Sequence, residues 1–145
     1  MSRRKFSPLE KAFIQERAGH CCEYCKFPMA YSHDDFHVEH IISIYAKGSS
    51  DLINLAWSCD GCNSNKWRYV ERFDSETGVF VPLFNPRQDV WKNHFQWNED
   101  FTMIVGLTAT GRATVDLLKM NRLGLINIRK VLLAYGLNPI NAYLK

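Results

Sequence analysis

No stretch of the chain approaches the roughly 20 consecutive apolar residues that a membrane-spanning helix needs, so no membrane span is expected. Internal repeats and low-complexity segments are absent too, which leaves an ordinary globular composition and excludes repeat arrays. The basic start, Met1 to Lys5, is not followed by an apolar stretch, so the reading expects no secretory signal. Acidic residues nearly vanish from the last third. Residues 101–145 hold Asp116 alone against six lysines and arginines, whereas residues 1–100 hold 14 acidic against 12 basic side chains. A basic segment on an otherwise balanced chain suggests a polyanionic partner, or simply a solvated helix face. The five cysteines are an odd number and cannot all pair as disulfides. Four of them fall into two Cys-x-x-Cys pairs, which suits metal binding better than a disulfide framework.

Those pairs are Cys22-Glu-Tyr-Cys25 and Cys59-Asp-Gly-Cys62, with 33 residues between Cys25 and Cys59. Four thiolates in two such knuckles supply the tetrahedral donor set of a structural Zn²⁺. Cys21 would stand four positions from Cys25, so Cys22 is the better ligand and Cys21 the spare thiol. Thiolate ligands persist in reducing compartments, and the expected location is the cytoplasm.

The local signals place elements around these pairs. Ser7-Pro8-Leu9-Glu10 reads as a capped helix start, with Leu9, Ala12, Phe13 and Glu16 at helical spacing and Gly19 ending the helix. Residues 36–44 are rich in β-branched and aromatic types and read as a strand. Residues 47–51 read as a loop, 52–58 as a second strand, and the chain from Asp60 as a helix. Asp60 would cap that helix, with Asn63, Lys66 and Tyr69/Val70 on one face. Further on come a turn at Asp74–Gly78, a strand over 79–83, and a hairpin from 95–97 and 101–107. Two helices follow, over 111–119 and 122–135, the second with an apolar stripe of Leu125, Ile128, Leu132 and Tyr135 flanked by Arg122, Arg129 and Lys130. At 145 residues the chain reads as one domain, 1–145, with a core over 20–73 and a C-terminal extension over 74–145.

Between the cysteine pairs lies Phe36-His-Val-Glu39-His40-Ile-Ile42. A carboxylate beside an imidazole within an apolar run is costly to bury without a purpose. A hard carboxylate oxygen on Glu39 and an amide oxygen on Asn63 suit Mg²⁺ or Mn²⁺. His40, an improbable ligand of so hard an ion, suits a general base, since its pKa lies near the working pH.

The stretch from His20 to Lys66 resembles the HNH family of metal-dependent endonucleases, and the later segments resemble small stand-alone bacterial HNH proteins. The resemblance implies an α+β protein: a ββα-metal (His-Me finger) core with a four-cysteine zinc site, an N-terminal helix, and a C-terminal hairpin plus helices. It implies that His40 activates water against a phosphodiester and that Glu39 and Asn63 hold one catalytic divalent ion. Asn54 aligns with the middle asparagine that pins the loop behind the histidine, and Lys66 with a basic residue near the phosphate. His37, Arg122 and Arg129 are further candidates for phosphate contact. The expected products carry 5′-phosphate and 3′-hydroxyl ends, with DNA as substrate and RNA left open, as are a monomer or homodimer. Glu39 stands where many members have Asp, and Ser43 where proline is common.

Two other readings compete. A zinc nucleobase deaminase would use His37-Val-Glu39 with Cys59-x-x-Cys62, although Ser58 replaces its proline and Cys22 and Cys25 would be left over. A zinc-knuckle module that only binds nucleic acid would use the basic helices and Trp67, Tyr69, Trp91 and Trp97, aromatics otherwise expected in the core.

Overall fold

The computed structural model describes residues 5–137. They form three two-stranded antiparallel sheets with helices, a mixed α/β protein that divides into two compact units. Among the described residues, unit 1 comprises 5–70 with 85–89, and unit 2 comprises 71–84 with 90–137.

Unit 1 opens with α1 (Pro8–Arg17), and its capping box forms as the sequence implies. Ser7 Oγ accepts from the Glu10 amide, and the Ser7 amide donates to Glu10 Oε1. Gly19, at φ +67°, follows the last turn, where a left-handed residue ends a helix without steric cost. The buried residue of α1 is Ile14, while Leu9 and Phe13 of the expected apolar spacing are exposed. Arg17 donates from Nη1 to Leu52 O and from Nη2 to Leu55 O, tying α1 to the start of β2.

The strand expected over 36–44 stops early, as β1 (His37–His40). It pairs antiparallel with β2 (Leu55–Ser58), with Glu39 opposite Ala56 and His40 opposite Leu55. Asn54 ends β1 by taking the backbone groups that a longer strand would use. Its carbonyl accepts from the Ile41 amide, its Oδ1 accepts from the Ile42 amide, and its Nδ2 donates to Ile42 O. The first three residues of the second expected strand form a 3₁₀ turn, Leu52–Asn54. Helix α2 (Asp60–Lys66) follows β2 directly. Its cap is Cys59, whose sulfur accepts from the Cys62 amide, and not Asp60. The helix ends at Lys66 because Trp67 adopts φ +48°, so Tyr69 and Val70 do not extend the Asn63–Lys66 face.

In unit 2 the Asp74–Gly78 turn joins β3 (Glu71–Asp74), which the sequence reading lacked, to β4 (Val79–Pro82). Asp74 Oδ2 accepts from the Thr77 amide and hydroxyl, and the Arg112 guanidinium holds this carboxyl well below the usual carboxylate range. A short α3 (Trp91–His94) leads into the hairpin of β5 (Phe95–Trp97) and β6 (Ile104–Gly106). Helix α4 (Ala109–Leu118) packs against the end of α3 and against β6 through Gly111, where a Cβ would fall 2.1 Å from His94 O and 3.3 Å from the Gly106 Cα. Only glycine permits that approach.

Helix α5 (Leu123–Ala134) buries Leu125 and Leu132, but Tyr135, expected on the same stripe, is exposed. The larger difference is Arg129, expected on a basic flank for phosphate contact. It is 1% exposed. Its Nη1 donates to Thr102 O and Asn121 Oδ1, and its Nη2 to Met120 O, so the guanidinium is a core strut and cannot serve as a phosphate contact. We predict that Arg129→Ala costs unit 2 about 2–4 kcal/mol, because each buried carbonyl deprived of its donor costs about 1–3 kcal/mol. Urea denaturation followed by circular dichroism checks this, and an unchanged midpoint contradicts it.

Candidate functional site

The two knuckles fold alike. In the first, the Cys25 amide faces Cys22 Sγ at 3.5 Å and Lys26 turns back at φ +65°; in the second, the Cys62 amide faces Cys59 Sγ at 3.4 Å. Glu23 docks the first knuckle on β2: its amide donates to Trp57 O and its Oε2 accepts from the Trp57 amide. Arg87, from the Asn85–Asp89 segment of the same unit, pairs with the other Glu23 oxygen, and burial brings its guanidinium down to about 10.

The four sulfurs lie within 4.8 Å of one another and all four residues are buried. Cys25 and Cys59 sulfurs are 3.7 Å apart. Four sulfurs about 2.3 Å from a central zinc would be spaced about 3.8 Å apart, so the cluster has the dimensions of a zinc site. Burial pushes the Cys22 thiol well up, and hydrogen bonding to Cys22 raises Cys62, while the neighbouring sulfurs hold Cys59 far down. Cys21 lies outside the cluster and donates to Gly19 O. His37 Nε2 pairs instead with Asp60 Oδ1 at 2.9 Å. Cys59 and Cys62 are thus grouped with two cysteines and not with His37, which removes the donor set a deaminase would need.

Beside the cluster, β1 ends in a cleft of about 290 Å³ whose lining includes Glu39, His40, Ser43 and Asn63. A second recess, of about 400 Å³, includes Lys5, Lys11, His37, His40 and Asn63. His40 and Asn63 therefore border both. His40 is buried, and its Nε2 lies 2.9 Å from Ser50 Oγ, which orients the ring. Asn54 holds the segment behind it through Ile41 and Ile42, and its Nδ2 also donates to Ser49 O. Gly48 completes this clamp, since a Cβ there would lie 1.7 Å from Ile42 O.

Glu39 is equally buried. Its Oε2 accepts from the Tyr24 hydroxyl at 2.7 Å, and its Oε1 pairs with Lys66 Nζ. Burial, with Glu39 adding to it, pushes the Tyr24 hydroxyl well up and keeps it a donor. Lys66 also donates to His40 O and Ile41 O. Lys66 is 1% exposed, so the expected phosphate contact is instead an internal strut between α2 and the end of β1. Arg122 turns its Nη1 onto Leu118 O and Lys119 O at the end of α4. Glu39 and Asn63 remain two oxygen donors on one cleft, and a carboxylate with about four lone-pair sites keeps acceptor capacity beyond Tyr24 and Lys66. These residues suit a hard divalent cation.

Sequence reasoning missed Tyr24, Ser50 and Asp60, none of which carries a spacing signal. It also missed Arg68 and Tyr45 on the wall of the first cleft, where they join Trp67, named in the sequence only for the nucleic-acid-binding reading.

Residues 22–68 match the family described as HNH endonuclease, about a third of the chain. No curated protein and no solved structure matches. The matched segment contains both knuckles, β1, β2 and α2, and its family points to nuclease-type chemistry on nucleic acid. Among the described residues no helix is long and apolar enough to cross a membrane.

Metal at the sulfur cluster requires deprotonated thiols. One zinc per chain is therefore expected at neutral pH and its release on acidification, with Cys22→Ser and Cys59→Ser each losing most of it. A chromophoric chelator assay reads this. Full zinc retention by both variants contradicts the assignment.

Proposed function

We propose that the segment is an HNH endonuclease core of ββα-metal type that hydrolyses phosphodiester bonds in DNA. The observation that carries the reading is that His40 from β1 and Asn63 from α2 border one cleft together with Glu39. The frame beneath them is the β1–β2 pair, α2 and the four-sulfur cluster.

In this reading His40, oriented by Ser50, takes a proton from a water that attacks phosphorus in line. Asn54 and Gly48 fix the backbone that carries it. A divalent cation on Glu39 and Asn63 would supply Lewis-acid stabilisation of the charge developing on the phosphate and the leaving 3′ oxygen. Lys66 and Tyr24 hold the Glu39 carboxylate in place at the cleft wall. Products would carry 5′-phosphate and 3′-hydroxyl ends. His37, oriented by Asp60 and accompanied by Lys5 and Lys11, offers the second recess as a path for the backbone. Reduced thiols suit the cytoplasm.

A second reading, a zinc-knuckle module that binds nucleic acid without cutting it, is favoured by the engagement of both Glu39 oxygens within the protein. A cleavage assay on supercoiled plasmid and on single-stranded circular DNA, with added Mg²⁺ or Mn²⁺, separates the two. His40→Ala should retain zinc and lower cleavage at least about a hundredfold, the usual scale for loss of a general base. Near wild-type cleavage by that variant contradicts the proposal, and no cleavage of either substrate by the intact protein favours the binder.

A further inference from the structure

The wall of the His40 cleft is an aromatic and cationic stack that neither the hydrolytic chemistry nor the fold requires. Tyr45, on a 3₁₀ turn over Ile44–Ala46, is 72% exposed, Trp67 57% and Tyr69 48%. The Arg68 guanidinium lies between two of these rings, 4.0 Å from the Tyr45 centroid and 3.9 Å from that of Trp67. Tyr69 meets Trp67 edge to face at 5.7 Å. Trp67 and Tyr69 thus stand outside the core in which they were expected.

Large exposed aromatics in a cluster are unusual on a soluble surface and mark a binding site. Two features hold this cluster in place. Ser43 Oγ donates to Arg68 O and accepts from the Ala46 amide, tying the Tyr45 turn to the segment after α2. Trp67 itself sits at φ +48°, a region that a bulky residue occupies only at a cost and that recurs at functional sites. Tyr45, Trp67 and Arg68 line the same cleft as Glu39, His40 and Asn63.

We infer that this stack is a platform for an unpaired nucleobase, which makes single-stranded nucleic acid the substrate class of the site. The inference rests on the nuclease reading above and deepens it. Aromatic faces and guanidinium planes bind bases by stacking, with little regard for sequence. In a duplex those base faces are already covered by their neighbours, so the platform has nothing to grip unless a base is flipped out. A strand seated this way places one base on the stack and the adjoining phosphate over His40 and Asn63. Its onward backbone meets Lys5, Lys11 and His37 in the second recess.

Fluorescence anisotropy of labelled 12-nucleotide DNA and RNA strands and of the matching duplex, without added divalent ion, tests the inference. Both strands should bind at least about tenfold more tightly than the duplex. Tyr45→Ala should weaken strand binding about five- to a hundredfold, the range of a lost base–aromatic stack. Tyr45→Phe should restore it, and duplex binding should not move. The Tyr45 ring is largely in solvent, so zinc content is expected to stay intact; Arg68→Gln, tested alongside, should also weaken strand binding selectively. Equal affinity for strand and duplex overturns the platform, as does unchanged strand binding in both variants. If His40→Ala abolishes cleavage while the Tyr45 and Arg68 variants bind strands normally, the platform fails and the nuclease reading stands. Selective loss in those variants with cleavage retained by His40→Ala gives the reverse.

Discussion

Four buried sulfurs converge among the smaller elements of unit 1, a donor set that a zinc ion would hold together. Strands β1 and β2 have four residues each, and α2 has seven. A two-stranded pair of that length is marginal at best in water, and so is so short a helix. The first knuckle lies 33 residues before the second, and joining them fixes the loop that contains β1, the Asn54 clamp and β2. Metal binding to such a site is folding free energy, because no preformed donor set exists in the unfolded chain. Everything proposed about His40 depends on that closure.

A second constraint works inside the first. Lys66, at the end of α2, places a buried ammonium among the Glu39 carboxylate and the carbonyls of His40 and Ile41. Burying either charge alone would be prohibitive, and removing one partner leaves the other uncompensated. The pair locks the end of β1 to α2, and so sets His40 and Asn63 on a common cleft. Tyr24 comes from within the first knuckle, between Cys22 and Cys25, and closes the other side of Glu39. The sulfur cluster and the candidate chemical site therefore share a residue-to-residue connection.

Much of this was legible in the residues. The Cys-x-x-Cys spacing pointed to the sulfur cluster, and Ser7-Pro8-x-Glu10 to the first helix. The order strand, loop, strand, helix was readable from β-branched runs and turn residues. What was not legible has a common cause: acceptors that are backbone carbonyls leave no mark in a sequence. Arg129 stands four residues after the buried Leu125, on the same helix face, yet a charged residue on a helix flank reads as solvated. Its partners are carbonyls of Thr102 and Met120. Lys66, given a phosphate contact by the family resemblance, also donates to backbone carbonyls, those of His40 and Ile41. The early end of β1 likewise depends on a distant amide, Asn54, competing for strand hydrogen bonds. Trp67 and Tyr69 were placed in the core because the helix was expected to continue past Lys66; the turn at Trp67 sends them outward.

The central claim is that the cysteine cluster is the scaffold of a separate chemical site. Residue-resolved amide hydrogen exchange at neutral pH, before and after chelation of the metal, tests it most directly. The account predicts that protection in β1, β2 and α2 collapses on metal removal, while α4 and α5 of unit 2 keep theirs. Unchanged protection across β1 and α2 after complete metal removal would contradict it.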